Sequence, residues 1–205
     1  MEFRQVLEAR CSVRSFKSDK IKPDDLKEMV RLGAMAPSVN NYQPWKFIVI
    51  TNRELLQNMA KIVAETISAL PLNSSQSASN ILSQVEWFAT FFREAPAVIA
   101  LTMEKAETVL EKSVTLSPEE INRMRNFPDI QSAGACIQNI LLAATDLGYG
   151  ACWLSAPLMA KQELEKLLEI PDSSSLMAFV AIGKPMHTPK PKNRKNIDEI
   201  LSWKD

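Results

Sequence analysis

The sequence predicts a mixed helix-and-strand chain with more helix than strand. Apolar residues recur at helical spacing over long segments, as in Leu55, Leu56, Met59, Ile62, Val63 and Ile67. Short apolar runs of strand length, such as 97–102 and 176–182, lie between them. Caps and breakers stand where these segments must begin or end: Asn52, Ser117-Pro118-Glu119-Glu120, and Gly148-Tyr149-Gly150.

Composition narrows the function. A chain of 205 residues fits one domain, expected here over 1–205, and permits a substantial core. Twenty-four basic residues balance 24 acidic ones, which removes any general electrostatic argument for nucleic acid or anionic membrane. A membrane span is not expected, because no apolar run approaches eighteen residues. The start, Met1-Glu2-Phe3-Arg4-Gln5, has no apolar signal region. Cys11, Cys136 and Cys152 are odd in number and widely spaced, which fits a reducing cytoplasm and no disulfide framework. With His187 as the single histidine, a zinc site or a Ser-His-Asp triad is a poor expectation.

In chain order, residues 2–9 read as a short helix with Phe3, Val6 and Leu7 on one face. Residues 23–36 read as a second, with Pro23 in its first turn and Asp24 and Asp25 at its positive end. Phe47 to Ile50 reads as a buried strand, and Asn52 caps the helix after it. Residues 71–80, rich in Ser and Asn, read as mobile. Helical pattern returns over 81–92, where Trp87, Phe88, Phe91 and Phe92 read as core or subunit interface, or as a substrate lid. A buried strand over 97–102, a charged exposed loop or short helix over 103–116 and a capped helix from Ser117 follow. A long helix over 129–147 carries small residues at Ser132, Ala133, Gly134 and Ala135, suiting a central or dimer-forming helix. A strand at 151–154, a helix at 158–168 and a strand at 176–182 complete the body, ahead of a basic, proline-rich tail.

Two stretches carry chemistry. Gly33 to Ile50 holds Ser38, Asn40, Asn41 and Gln43 in a short loop fenced by Pro37 and Pro44. Such a loop can offer donors and acceptors to a flat heteroaromatic edge, or simply form turns. Arg10-Cys11-Ser12-Val13-Arg14 brackets a hydroxyl with two guanidinium groups, which suits a phosphate or a carbonyl edge. Alone, it also reads as a solvated basic turn. With five glycines there is no G-x-G-x-x-G and no P-loop, so a phosphate would need side chains to hold it. Cys152, in an apolar strand, reads as buried structure more than as a nucleophile.

The ordered set R-x-S-x-R, A-P-S-V-N-N-Y-Q-P-W, L-G-Y-G-A-C-W and I-G-K-P with its basic tail resembles the nitroreductase family over roughly residues 2–201. The resemblance implies an α+β three-layer sandwich with a central, mostly antiparallel sheet flanked by helices, in an intertwined homodimer. It implies two FMN sites at the subunit interface. Arg10, Cys11, Ser12 and Arg14 would approach the ribityl phosphate and pyrimidine from one subunit. Pro37, Ser38 and Asn41, with Gln43 as a weaker candidate, would come from the partner. Ala151, Cys152 and Trp153 would line the flavin through backbone N–H groups, and Lys192 and Arg194 would grip the phosphate. NADH or NADPH is implied as co-substrate, with flat small-molecule electron acceptors such as nitroaromatics or quinones. Two departures stand out: Cys11 replaces a common basic residue, and the chain ends too soon after the tail motif for a long arm. A flavin carrier or sensor without turnover, and a different flavin reaction on the same fold, stay open as alternatives.

Overall fold

The computed structural model describes residues 1–71, 76–105, 110 and 113–204. In chain order these form α1 (Phe3–Ala9), α2 (Pro23–Gly33), β1 (Trp45–Ile50), α3 (Arg53–Ser68), α4 (Gln76–Thr90), β2 (Ala97–Glu104), α5 (Pro118–Met124), α6 (Pro128–Asp146), β3 (Gly150–Leu154), α7 (Lys161–Leu167) and β4 (Ser174–Gly183). The four strands make one antiparallel sheet in the order β1-β2-β4-β3.

Alternation along β2 explains the layering. Ile99 and Leu101 face a cluster with Met29 of α2 and Ile137 and Ile140 of α6. Val98 and Ala100 face the opposite cluster, with Leu56, Met59 and Val63 of α3 and Phe92 beyond α4. Because successive side chains of a strand point to opposite faces, a central strand with helices on both sides must be apolar at nearly every position. β2 is buried from Ala97 to Met103. Gly33 lets α2 and α6 approach closely, since a Cβ there would stand 2.5 Å from Cγ1 of Ile140. The predicted central role of the long helix is therefore met, and of its small residues Ala133 lies in the core.

The predicted caps form. Asn52 accepts from the Leu55 N–H at 3.0 Å, and Ser117 and Glu120 make a reciprocal capping box. Gly148 closes α6 at φ 76°, a left-handed conformation that costs glycine little.

Several expectations are corrected. β1 begins at Trp45 and is a half-exposed edge strand, with Val49 outward and only Trp45 and Ile50 buried. Phe3 and Leu7 are exposed, leaving Val6 as the buried residue of α1. Residues 76–80 open α4, and residues 72–75 lie outside the described residues. Met103 and Glu104 extend β2, while much of 106–112 lies outside the described residues. The helix expected over 158–168 is a 3-10 turn (Ala156–Ala160) followed by α7. The aromatic group divides: Phe91 and Phe92 are core, Trp87 and Phe88 are exposed. After β4, residues 186–204 run exposed throughout, Ile197, Ile200 and Trp203 among them.

Candidate functional site

The first sequence motif folds onto the outer edge of β3. Val13 N–H donates to the Ala151 carbonyl at 3.0 Å, and Ser12 bridges Ala151 in parallel. Farther along, Lys17 N–H donates to the Lys184 carbonyl at 2.8 Å. Gly150 permits this contact, because a Cβ there would lie 2.7 Å from Cβ of Val13. The segment is thereby pinned on both sides of Arg14.

Arg10, Ser12 and Arg14 converge on Cys152. Burial pushes the Cys152 thiol up, opposed by the Arg14 charge, a hydrogen bond with Ser12 and the Arg10 charge. Cys136, on α6, is pushed up to about 12 by burial. Both groups are therefore thiols at neutral pH, and a thiolate nucleophile has no seat at either. Among the described residues neither Arg10 nor Arg14 forms an ion pair, in contrast to Arg31 and Arg53, which bind Glu28 and Glu94 at 2.7 Å. Two unneutralised guanidinium groups flank an exposed hydroxyl, and Trp153, the next residue of β3 after Cys152, is 45% exposed. This donor set fits an anionic ligand that also has a planar part.

The second motif lies elsewhere. The loop after α2 enters β1, and its backbone is left-handed at Asn40, Asn41 and Gln43. Ser38 Oγ accepts from the Gln43 N–H at 2.9 Å, and Gln43 Nε2 donates to Asn41 Oδ1 at 3.3 Å. Asparagine tolerates this conformation better than most residues, so part of the loop's composition is turn chemistry. Pro37, Asn41 and Gln43 are exposed. Trp45 pairs with Met103, which pairs with Ser175, whereas Ala151 pairs with Ile182. Ser175 and Ile182 are seven residues apart on β4, about 23 Å at roughly 3.3 Å per residue. One chain therefore holds the two motifs at opposite ends and opposite edges of its sheet.

The remaining residues separate in the same way. Cys11 is half-buried beside Ser12, and Lys192 and Arg194 lie in the exposed tail. A cavity of about 780 Å³ adjoins the polar loop, lined by Tyr42, Pro44, Met103, Arg125, Ile130 and Met177. The sequence gives no sign of this cavity, because its walls come from β2, β4, α5 and α6. Among the described residues no helix is long and apolar enough to cross a membrane, and no acidic, His or Cys cluster is set to hold a metal.

Residues 7–184 match the Nitroreductase family. The chain belongs to that family. A BluB-like flavoprotein from Clostridium difficile 630 is 28% identical, with a TM-score of 0.85 and complete coverage of both chains. A nitroreductase with bound FMN from Desulfitobacterium hafniense DCB-2 is 23% identical, with a TM-score of 0.75 over 100% of this chain and 99% of that one. An oxygen-insensitive NADPH nitroreductase from Helicobacter pylori strain J99 is 21% identical over 98% of this chain and 95% of its own.

Proposed function

We propose that this chain is an FMN-dependent NAD(P)H oxidoreductase whose flavin sits between two subunits. The observation that carries this reading is the convergence of Arg10, Ser12 and Arg14, without carboxylate partners among the described residues, on the edge that presents Trp153. The family membership and the FMN held by the Desulfitobacterium relative support the same reading.

When bound, FMN supplies hydride acceptance from NAD(P)H and onward electron transfer to a flat acceptor such as a nitroaromatic or quinone. The chain's own residues bind and orient. Arg10, Arg14 and the Ser12 hydroxyl hold the phosphate and the pyrimidine carbonyls, with Lys192 and Arg194 of the tail closing on the phosphate. Their positive charge also favours an electron-rich, anionic ring system over a neutral one. No side chain is required to move a proton, in keeping with thiols held protonated and His187 in the exposed tail.

The loop from Pro37 to Gln43 serves the partner's flavin, because within its own chain it lies at the far end of the sheet. The cavity beside that loop takes the acceptor. The exposed tail intertwines the dimer: Ile197, Ile200 and Trp203 are exposed among the described residues, and an apolar groove along the edge strand β1 offers Ile21, Leu26, Phe47 and Val49. Its rim carries Lys20 and Lys22, opposite in charge to Asp198 and Glu199 of the tail.

A visible spectrum of the purified chain, before and after anaerobic NADH or NADPH, tests the reading. Bound flavin that bleaches is expected. Flavin that stays oxidised would favour the carrier reading, and a chain that takes up no added FMN would overturn the proposal.

A further inference from the structure

The guanidinium of Arg14 lies over the ring of Phe88, 5.5 Å from its centroid. Phe88 belongs to α4, on the other side of the sequence from the R-x-S-x-R motif, and is 39% exposed. An exposed phenyl ring here meets a half-buried guanidinium of the Arg10–Arg14 segment. The ring is itself held. Phe88 packs edge-to-face on Trp87 at 4.8 Å, and Trp87 lies 5.8 Å from Phe91, which is buried in the core. A continuous run of aromatic contacts thus leads from the core to the Arg14 side chain.

The partner's chemistry matters. A carboxylate would hold a guanidinium in place but would also cancel its charge and occupy its N–H groups. That is the arrangement at Arg31, bound through two nitrogens to Glu28. A ring face attracts the cation through its quadrupole and brings no charge of its own. Arg14 is therefore restrained while its charge stays available, and it is the largest influence opposing burial at Cys152. The backbone is fixed on both sides, by Val13 to Ala151 and Lys17 to Lys184, so the side-chain direction is what remains to be set.

We propose that Phe88 is a positioning residue for the cofactor: its ring aims the Arg14 guanidinium at the flavin without neutralising it. This rests on the flavin site described above. It makes α4, which contributes none of the family motif, a determinant of flavin affinity.

The test is a fluorescence titration of FMN into the full-length apoprotein of four chains: wild type, Phe88→Tyr, Phe88→Leu and Phe88→Glu. Phe88→Tyr keeps a ring and should bind as wild type. Phe88→Leu keeps an apolar group but loses the quadrupole, and should bind about three- to tenfold more weakly. Phe88→Glu restrains Arg14 yet cancels its charge, and should be weaker still. Repeating the series in an Arg14→Gln background separates positioning from fold damage, because all differences should then collapse to less than about twofold. Equal affinity of Phe88→Leu and wild type would overturn the inference and leave the flavin site standing, as would the full series persisting without Arg14. A wild-type chain that takes up no FMN would overturn the functional reading and this inference with it.

Discussion

The two edges of the sheet are treated in opposite ways. Outside β3 the chain lays its own segment 10–16, pinned by backbone hydrogen bonds and carrying two arginines that form no ion pair among the described residues. Among the described residues no strand pairs with the outer edge of β1, which leaves Val49 outward above an apolar groove shared with the start of α2. An unpaired strand edge is a template for another chain, and native proteins rarely leave one bare. On the proposed reading, the covered edge builds the ligand site and the unpaired edge takes a partner subunit. The polar loop at the start of β1 lies at the second edge, so the proposed shared site would leave each chain with two half-sites.

The largest break in this comparison should come from the covered edge. Arg10→Gln with Arg14→Gln removes two charge-assisted anchors at about 1.5–3 kcal/mol each, so FMN affinity should fall about a hundredfold or more. Equilibrium dialysis of FMN checks this. Gly150→Ala attacks the same edge through packing. A Cβ placed 2.7 Å from Cβ of Val13 must push segment 10–16 outward, costing about 1–3 kcal/mol in urea unfolding and weakening FMN binding in parallel. A loss of stability without loss of FMN would separate the segment's position from the site.

The bare edge should respond differently. Val49→Lys places charge in the apolar groove and should leave the thermal transition of each subunit within a few degrees while shifting a dimer toward monomer in light scattering. An unchanged dimer would place the subunit contact elsewhere. A smaller effect belongs to the core beneath β2, β3 and β4, where α6 packs. Burial holds the Cys136 thiol at about 12 against an ordinary value of 9.0. The folded value is the raised one, so the folded state keeps a proton that the unfolded chain loses. Its contribution is complete below pH 9 and declines as the pH rises toward 12. Cys136→Ala should flatten the fall in urea midpoint across that range.

Local physics made much of this legible in the sequence. The cap at Asn52, the box at Ser117 and Glu120 and the stop at Gly148 depend on neighbours within a few residues, and they form as read. The ordered motifs pointed to Arg10, Ser12, Arg14 and Cys152 together, although Arg14 and Cys152 are 138 positions apart. What the sequence hid depends on tertiary order. Phe47 to Ile50 is as apolar as a central strand, and only the strand order reveals that β1 is an edge. Trp87 and Phe88 have the same chemistry as Phe91 and Phe92, and only the path of α4 places one pair outside and the other in the core. The cavity by Arg125 has walls from four elements and no local signature.

The central claim is that each site takes its cations from one chain and its polar loop from another. Co-expression of differently tagged chains tests it most directly. One chain carries Arg10→Gln and Arg14→Gln, and the other carries Ser38→Ala and Asn41→Ala. A shared site gives a heterodimer with one intact site and one doubly defective site. The account predicts tight binding of one FMN per heterodimer, although each homodimer binds weakly. Heterodimers that bind no better than either homodimer would contradict it, and would place every site within a single chain.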